Sequence, residues 1–473
     1  MNNLIWFRND LRIHDNKALY FSCKNKKKNV IALFISTPEQ WKTHDMSGMQ
    51  AYFIYKRLIF LKKILKKINI SLFYKELKNY KDSIEYLLYF CKKYKINKVF
   101  YNYQYELNEK NRDIKIKELL MLNKIYIKGF HDNILIDPKL IKNNSGFSYK
   151  IFRFFRKKSL KIFKKKKIKL FKTPQKRKKN IIIQSHIKSF TYKYKIFNKK
   201  IFPFQDNKIK KKINLFFKKK IFTYFKEKDF PILNNTSQFS LYLSLGIFSI
   251  RKIFYYILNL KIKNKKNLLV FIDKLLWREF FKHLFFQYSI LSKNKSFKIW
   301  EKKIKWNTNK KHLNSWKKGL TGYPIIDAGM RELNINGWIN NRVRMITANF
   351  LVKNLFIDWK LGARHFMSKL IDADFSLNTG NWQWISSIGS DSVPYIRTFN
   401  PYVQSKKFDF QGKYIKKYII ELRNVPSKYI HNPQVWLKKN EPHSKYPKPI
   451  VKYEKVKNIF IKKIKKIIKN TKK

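Results

Sequence analysis

Acidic residues are scarce in this chain, which has 29 Asp plus Glu against 107 Lys plus Arg among 473 residues. The formal net charge of +78 excludes an acidic, halophile-like or calcium-buffering protein. It favours a polyanionic partner, either nucleic acid or an anionic membrane surface, because cationic surfaces gain free energy from counterion release. The excess is nearly all Lys and accompanies many Ile, Asn, Phe and Tyr, so A/T-rich codon usage is a second explanation of the charge.

Cysteine and long apolar runs are also scarce. Two cysteines, Cys23 and Cys91, are too few for a disulfide scaffold or a four-cysteine zinc site, and they fit a reducing compartment. Charges at Arg8, Asp10 and Arg12 leave no apolar core of signal-peptide length near the N-terminus. Elsewhere Lys interrupts every apolar run well below the ~20 residues of a membrane span. We therefore expect a soluble, cytoplasmic protein.

Several familiar catalytic motifs are missing. The chain has no nucleophile elbow, no glycine-rich phosphate loop and no HExxH helix. Asp372 and Asp374 lie close together in sequence, but no spaced set of acids surrounds them, so no divalent metal site is expected. Hydrolase chemistry is disfavoured, and a tightly bound organic cofactor becomes the better candidate.

The chain is rich in apolar residues, at 44% hydrophobic and 17% aromatic, which requires folded cores under the charged surface. In its first part, short apolar runs alternate with amphipathic stretches, the pattern of a parallel sheet with crossover helices. The predicted strands are residues 4–7, 30–36, 71–74 and 98–103, and the predicted helices are 47–68 and 81–95. Lys runs then dominate from Lys157 to Lys220, which predicts a long surface linker with one or two irregular helices.

After residue 230 the pattern is helical. Helices are predicted at 247–260, 268–291, 322–335, 338–356 and 360–371, with turns at Gly319, Gly337 and Gly362. The tail from Lys452 is a basic amphipathic stretch that predicts a surface helix or a frayed end. The predicted fold is an α/β domain with a parallel sheet (1–135), a Lys-rich linker (136–205) and a larger all-helical domain (206–473).

Residues 319–399 concentrate tryptophan, arginine and acid. Burying Arg342, Arg344, Asp372 and Asp374 is costly unless they pair with each other or with a ligand, and an internal salt-bridge network is the simpler interpretation. Tryptophan usually serves packing. Indoles in series could also relay electrons to a buried redox cofactor, and six candidates fall in the helical part: Trp277, Trp306, Trp338, Trp359, Trp382 and Trp384.

Five segments carry a more specific pattern: WFRNDLRIHDN (6–16), FYNYQYELNEKNRD (100–113), WREFFKHL (277–284), TGYPIIDAGMRELN (321–334) and GNWQW (380–384). Through them the chain resembles the cryptochrome/photolyase family, in particular the bacterial class that repairs cyclobutane pyrimidine dimers. The resemblance weakens only in the Lys-rich linker. It implies an α/β domain joined to a helical domain that holds FAD, whose excited reduced form lends an electron to the dimer and recovers it after ring opening.

The resemblance also implies the cofactor contacts. The segment TSQFS would cradle the FAD phosphates, because hydroxyls and N–H groups ahead of a helix suit an anion, although a simple N-cap is the alternative. Arg344 would pair with Asp372, and Phe271 replaces a tryptophan of the relatives. The implied FAD-binding residues are Tyr224, Thr236, Ser237, Gln238, Phe239, Ser240, Phe271, Arg344, Asp372, Ala373 and Asp374. Asn378 would lie beside the flavin, with Trp382, Trp359 and Trp306 as the electron relay.

For DNA, Trp277 and Trp384 match the pair that flanks a dimer flipped out of the duplex. Lys274 stands where the family has a glutamate that hydrogen-bonds the dimer, so lower efficiency or altered substrate preference is expected. Lys228 stands where the family has an arginine, so it keeps the positive charge but cannot donate the two parallel hydrogen bonds of a guanidinium. The implied DNA-binding residues are Lys228, Lys274, Trp277, Arg278, Asn341, Arg342, Met345, Trp384, Arg397, Gln404 and Lys406.

An antenna is implied by Asn108 and Glu109, which match residues that hold 5,10-methenyltetrahydrofolate, and by THDMS (43–47). A surface helix start is the alternative interpretation. The function implied by the resemblance is that of a carbon–carbon lyase, a light-driven, monomeric enzyme that repairs pyrimidine dimers in DNA.

Three alternatives stay open. The first is a cryptochrome-like sensor, although signalling relatives often carry a long C-terminal extension and this chain stops soon after Lys452. The second is repair of (6-4) photoproducts, disfavoured because Asn341 and Met345 occupy the helix where those relatives use histidines. The third is a degenerate photolyase with reduced activity, which Lys274 keeps open.

Overall fold

The computed structural model describes residues 2–165, 168–178, 186–260 and 265–472. Its strands are β1 (Asn2–Phe7), β2 (Asn29–Ser36), β3 (Ser71–Glu76), β4 (Ile96–Asn102) and β5 (Tyr126–Phe130). The helices of the first half are α1 (Lys17–Ser22), α2 (Pro38–Thr43), α3 (Gly48–Lys67), α4 (Tyr80–Lys93), α5 (Leu107–Leu122), α6 (Phe152–Lys165), α7 (Asp206–Lys218) and α8 (Tyr224–Glu227).

The remaining helices follow in chain order. They are α9 (Ser240–Ser244), α10 (Ile250–Leu258), α11 (Lys265–Gln287), α12 (Lys310–Lys318), α13 (Pro324–Asn336), α14 (Asn341–Asn349), α15 (Trp359–Lys369), α16 (Phe375–Ile385), α17 (Pro401–Phe408), α18 (Lys413–Tyr418), α19 (Gln434–Asn440) and α20 (Tyr453–Lys472). A π turn, Phe350–Asn354, follows α14 directly.

The five strands form one parallel sheet in the order β3-β2-β1-β4-β5. The four predicted strands and both predicted helices are confirmed, because buried parallel strands require the continuous apolar runs seen in the sequence. Strand β5 was not predicted, and helix α5 was foreseen only as the helix start that is the alternative interpretation of Asn108 and Glu109. The β5 sequence YIKGF is only half-buried, as an edge strand allows, so it carries no apolar run to reveal it.

The chain divides into two compact units. Unit 1 comprises 1–217, 238–293 and 371–376, and unit 2 comprises 218–237, 294–370 and 377–473. The core of the sheet in unit 1 includes Trp6, Leu33, Phe90 and Val99, all nearly inaccessible to solvent. The predicted domain boundaries at 135 and 205 stay a prediction.

The Lys-rich stretch contains α6 at its start and α7 at its end, in line with the predicted one or two helices. Parts of its Lys runs, residues 166–167 and 179–185, lie outside the described residues. Arg177 holds the described part against the segment 23–28 of the same unit, since its guanidinium donates to the carbonyls of Cys23, Asn25 and Lys28. Asn69 in turn donates to the carbonyl of Arg177 at 2.6 Å.

The regular elements among the described residues of unit 2 are all helices. Gly319 and Gly337 end α12 and α13 in the left-handed conformation, with φ of 70° and 65°, as predicted for turn glycines. The predicted turn at Gly362 is wrong, because this glycine lies inside α15. A Cβ there would approach the Trp382 ring to 2.3 Å and Leu351 to 2.5 Å, so close packing, not a turn, requires glycine.

The tail predicted from Lys452 forms the basic helix α20. Its apolar side packs Phe460 and Ile464 against Ile304, while its lysines face outward. In the described part of the chain no helix is long and apolar enough to cross a membrane.

Candidate flavin and DNA sites

The acidic segment 371–376 of unit 1 is tied to two other segments by a buried ion-pair chain. The Lys282 ammonium lies 2.8 Å from Oδ1 of Asp374 and 3.1 Å from Oε1 of Glu106. Ser376 donates to the same Glu106 oxygen at 2.5 Å. Burial would raise the pKa of Glu106, but Lys282 and Ser376 outweigh burial and lower it to about 2. All these charges are therefore compensated, as the cost of burying them requires.

Asp372 and Asp374 are each about 5% exposed. Between them, the carbonyl of Ala373 accepts a 2.7 Å hydrogen bond from the buried Gln50 amide on α3. The carboxylates that the sequence singled out are thus held on a rigid backbone. Neither Gln50, Glu106 nor Lys282 was predicted, because no local pattern links residues so far apart in the chain.

The second half of the TSQFS segment, residues 238–240, also lies in unit 1. Gln238 takes a left-handed backbone conformation, φ 51°, and its side-chain oxygen accepts from the Lys212 ammonium at 2.6 Å. Phe239 is buried within 6.2 Å of Phe271, centroid to centroid, and both rings contact Phe216. Ser240 begins α9. Phe271 is accordingly a member of an aromatic cluster.

The first half of the segment lies in unit 2. Thr236 has a buried hydroxyl with no hydrogen-bond partner among the residues that the structure describes. Its neighbour Asn235 donates to the carbonyl of Lys220 at 3.2 Å and to the Thr223 hydroxyl at 2.8 Å, which fixes the loop. Tyr224, at the start of α8, is 6% exposed. A buried hydroxyl without a partner is costly, and a bound phosphate oxygen is a suitable acceptor for it.

The predicted relay tryptophans lie in unit 2 and differ in exposure. Trp382 and Trp359 are buried, whereas Trp306 is half-buried. The Trp359 indole donates to Glu301 Oε1 at 2.9 Å. Asn378, on the same helix as Trp382, donates to the Ala363 carbonyl of α15 at 2.9 Å, which fixes the orientation of its amide.

Trp316 is an aromatic neighbour of Trp382 that sequence reasoning missed. It is fully buried on α12, with its ring centroid 6.2 Å from that of Trp382. Its indole N–H donates to the Thr347 carbonyl at 2.9 Å, and its ring stacks on Phe366. The three-residue spacing of Leu313 and Trp316 on α12 could have revealed a buried face, but not contact with α16.

Two predicted DNA contacts of unit 2 converge on one carboxylate. Lys228 Nζ and Arg342 Nη2 lie 2.9 Å and 3.1 Å from Oδ2 of Asp229, which was not predicted. Burial would raise the pKa of Asp229, but the two cations outweigh it and lower that pKa. Arg342 also lies over the Phe408 ring at 4.6 Å. Both cations are therefore pre-positioned on a partly accessible surface.

The other predicted DNA contacts of unit 2 are accessible. Asn341 is exposed and donates to the Met345 sulfur at 3.6 Å across one turn of α14. The remaining four are half-buried or exposed: Trp384, Arg397, Gln404 and Lys406.

Unit 1 carries three further predicted DNA contacts on α11. Trp277 stacks on Phe152, with ring centroids 3.9 Å apart and planes 12° from parallel, and Lys274 is exposed one turn earlier. Arg278 differs, since it is 7% exposed and lies 3.0 Å from the buried Glu279 carboxylate. Its guanidinium also donates to the side chain of Asn133. The structure thus gives Arg278 a place in the interior.

The predicted antenna residues form one cluster in unit 1. Asn108 Nδ2 lies 3.1 Å from Nε2 of His44, a residue of the THDMS segment. Glu109 accepts from the Tyr80 hydroxyl at 2.8 Å and lies 4.0 Å from His44 Nδ1. Burial, reinforced by nearby Glu106, raises the pKa of Glu109. Sequence motifs more than 60 residues apart therefore meet, joined by the unpredicted Tyr80.

Solved structures with the same fold identify the class of protein. A bacterial class III photolyase from Agrobacterium tumefaciens matches with a TM-score of 0.88 and 27% identity, over 99% of this chain and 98% of that one. A cryptochrome from Synechocystis sp. PCC6803 matches with a TM-score of 0.85 and 26% identity, over 98% of both chains. The fold is that of the photolyase and cryptochrome flavoproteins.

Sequence comparison identifies the family within that class. Residues 3–175 match the family described as DNA photolyase, and residues 271–466 match the FAD binding domain of DNA photolyase. The deoxyribodipyrimidine photo-lyase of Buchnera aphidicola subsp. Acyrthosiphon pisum is 46% identical, over 95% of this chain and 94% of its own. That of Escherichia coli strain K12 is 37% identical, over 96% of both chains. The chain belongs to the DNA photolyase family.

Proposed function

We propose that this chain is a light-driven DNA repair enzyme that splits cyclobutane pyrimidine dimers, a deoxyribodipyrimidine photo-lyase using FAD. The observation that carries the proposal is identity of 46% over 95% of the chain to a relative of that name. The pair Asn341 and Met345 on α14 further supports dimers over (6-4) photoproducts, because neither side chain can act as a histidine-type acid.

The side chains present fit FAD. The buried, unpartnered hydroxyl of Thr236 is available to a phosphate oxygen, and Ser237 follows it in the same loop. By their match to the family's motifs, Gln238, Phe239, Ser240, Tyr224, Arg344, Asp372, Ala373 and Asp374 are assigned further FAD contacts in the proposal. When bound, FAD supplies the photoexcited electron of the repair reaction.

Asn378 has the task of presenting a neutral amide to the flavin ring. The Ala363 carbonyl accepts from its Nδ2 at 2.9 Å, so its Oδ1 keeps a defined direction. An amide does not titrate, so the polarity that it presents is the same at every pH. We assign Trp382, Trp359 and Trp306 as the relay, since the first two are buried and the half-buried Trp306 reaches solvent.

Trp277 has the task of stacking against a flipped base pair. The Phe152 ring, 3.9 Å away, holds one face of the indole. A fixed aromatic plane loses little entropy when a base stacks on it, which is how such platforms gain about 1–3 kcal/mol per base. Trp384, Asn341, Met345 and Gln404 complete the lesion contacts in the proposal.

Four cations are proposed to bind phosphates of the lesion strand. Lys228 and Arg342 are held in place by Asp229, and Arg397 and Lys406 are exposed. The remaining Lys surplus contributes nonspecific, salt-dependent affinity. Binding to undamaged DNA should weaken steeply from low to high salt. An affinity nearly independent of salt would contradict this role. The enzyme is proposed to act as a monomer in the cytoplasm.

The cluster around His44 is proposed to hold a folate antenna, 5,10-methenyltetrahydrofolate. Asn108 offers an amide and Glu109 a carboxylate to the hydrogen-bonding edge of a pterin. Gently purified protein should show a near-ultraviolet folate band. Glu109→Gln should lose the band while the FAD absorbance is kept. Tyr89→Phe, an exposed substitution on α4, is a matched control for the preparation.

The decisive experiment irradiates the reduced protein with DNA containing thymine dimers, single- and double-stranded. Recovery of intact thymines under blue light, with none in darkness, is the expected result. Tight dimer binding without light-dependent recovery would instead support a sensor or a degenerate enzyme. A variant with Trp277→Ala should bind dimers more weakly while its FAD content is unchanged.

A further inference from the structure

Trp306 lines a cavity of about 450 Å³ in unit 2. Lys305, Asn307 and Lys463 are exposed residues of the same lining, so the cavity opens to solvent. Trp306 itself is half-buried, whereas Trp359 is inaccessible to solvent. A small molecule from solution therefore has access to Trp306 but cannot touch Trp359.

The loop that carries Trp306 is fixed to the backbone beside it. The Asn307 N–H donates to the Phe356 carbonyl at 2.8 Å, and the Asn307 side-chain amide donates to the Leu355 carbonyl at 3.1 Å. The Trp306 and Phe356 ring centroids are 5.3 Å apart, and those of Phe356 and Phe460 of α20 are 5.9 Å apart. The indole is therefore a defined part of the cavity wall.

The charge at the rim of this cavity is positive. Lys305 and Lys463 are both exposed, and the lining residues that the structure describes include no carboxylate. Lys463 Nζ lies 5.0 Å from the centroid of the Phe356 ring, which places it within about 10 Å of the Trp306 centroid. That separation is about one Debye length at 0.1 M salt, so the Lys463 charge still acts at the Trp306 ring.

Acidic side chains of the adjoining segments are compensated by other lysines. Glu301 and Asp358 both lie near the Lys360 ammonium, at 3.3 Å and 4.0 Å. On α20, Glu454 lies 3.8 Å from Lys457. All three carboxylates thus have a cation beside them, and the field at the cavity rim stays positive.

A relay residue that passes an electron inward is left one electron short and needs a donor. On the basis of the function proposed above, we propose that Lys305 and Lys463 select small anionic one-electron donors for Trp306, a class that ascorbate represents. A positive potential raises the local concentration of anions and the rate at which they arrive, by about tenfold or more in favourable cases. A neutral donor gains nothing from the two ammonium groups.

The step transfers one electron and one proton. Trp306 has passed an electron to Trp359 and lost its indole proton to water. The ascorbate anion gives up one proton and one electron together, which re-forms the indole N–H bond. Ascorbate is thereby oxidised to the ascorbyl radical anion, Trp306 is reduced, and the net charge is unchanged. Lys305 and Lys463 act by positioning the anion and take no part in the transfer.

The test measures the rate of flavin bleaching in the FAD-containing protein under blue light, without DNA, with ascorbate or neutral hydroquinone as the donor. Lys463→Glu should slow bleaching about threefold or more with ascorbate at low ionic strength, and should change it little with hydroquinone. The ratio of wild-type rate to variant rate for each donor removes the intrinsic reactivity of that donor. High salt should reduce the effect on ascorbate, because screening shortens the reach of the charge.

Lys305→Glu should act in the same direction, and Lys438→Glu is the matched control. Lys438 is exposed on α19, outside the cavity lining, and its substitution changes the net charge by the same amount. Equal slowing by Lys463→Glu and Lys438→Glu would overturn the proposal, because the overall charge of the chain would then explain the preference for anions. Equal slowing with ascorbate and with hydroquinone would also overturn it, since damage to the packing around Trp306 would then be the cause.

A second measurement does not depend on flavin chemistry. The anion iodide and the neutral molecule acrylamide both quench accessible indoles, and the quenching that is lost in Trp306→Phe belongs to Trp306. Iodide quenching of Trp306 should fall about twofold or more in Lys463→Glu, with acrylamide quenching unchanged. Absence of bleaching with either donor would contradict the proposed relay function itself. Unchanged iodide quenching in Lys463→Glu would contradict only the selection of anions by the lysines.

Discussion

The ammonium of Lys282 lies 2.8 Å from the carboxylate of Asp374, deep in unit 1. Glu106 lies on the other side of the same ammonium, at 3.1 Å. Lys282 thus bridges two carboxylates from separate segments of the chain. Burial alone would lower the pKa of Lys282, but the two carboxylates outweigh burial and raise it. The buried carboxylate of Asp374 is therefore paired with a residue of a distant helix.

Lys282→Met should destabilise the protein by about 3–5 kcal/mol, because it removes a buried cation that pairs with both Glu106 and Asp374. We expect FAD content per chain to fall as well, since Asp374 is proposed to contact the cofactor. Urea unfolding and the ratio of flavin to protein absorbance measure the two effects. Lys282→Arg keeps the charge and should restore most of both. Full stability and full FAD content in Lys282→Met would show that the chain of ion pairs has no positioning role.

Lys353 should make stability depend on pH in the alkaline range. Burial, with nearby Arg397, lowers the pKa of Lys353 to about 7, while its unfolded pKa remains near 10.5. Between these values the unfolded chain binds more protons than the folded chain, so this lysine makes stability rise with pH from about 7 to about 10.5. The unfolding free energy of wild type minus that of Lys353→Met should increase over this window.

Lys353 also donates to the Ser387 hydroxyl and the Arg397 carbonyl, each at 2.9 Å. Lys353→Met should therefore weaken binding of dimer-containing DNA as the loop carrying Arg397 loses its anchor. Lys360→Met, a partly exposed lysine of the same unit, is the control for charge removal. If the unfolding free energies of wild type and Lys353→Met differ by a constant amount between pH 7 and 10.5, the expected titration of Lys353 is contradicted.

Gly362 lies on α15, and Gly362→Ala should disturb the packing of the Trp382 ring of α16 against this helix. The added methyl group would lie 2.3 Å from the indole ring, and such overpacking typically costs about 1–3 kcal/mol. We also expect slower photoreduction of FAD, because Trp382 is proposed as the first relay residue. Thermal melting and flavin bleaching under blue light measure these changes. Ser368→Ala, exposed on the same helix, should change stability by less than about 0.5 kcal/mol.

Lys274→Glu should increase repair per absorbed photon severalfold at saturating DNA. The exposed Lys274 ammonium cannot accept a hydrogen bond, whereas a carboxylate can accept one from a pyrimidine, worth about 1 kcal/mol. Lys266→Glu makes the same charge change at an exposed position of the same helix and should not increase repair. Repair by Lys274→Glu no better than wild type would show that the lysine does not limit efficiency.

Much of the fold was predictable because its signals are local. The apolar runs of β1 to β4 are continuous in sequence, since strands buried on both faces need no alternation. Gly319 and Gly337 terminate helices by a property of their own backbone. Strand β5 and the packing role of Gly362 were not predictable, because an edge strand has little apolar signal and a packing glycine is defined by the ring opposite it.

The sequence by itself determined which residue types are available for chemistry, through motifs such as TSQFS and GNWQW, and excluded disulfide frameworks through its two cysteines. Only the tertiary structure decided which side chains compensate each other. Lys282, Glu106 and Asp374 come from three separate segments. The physical reason is that Coulomb and hydrogen-bond energies depend on distance in space, and chain folding alone sets those distances.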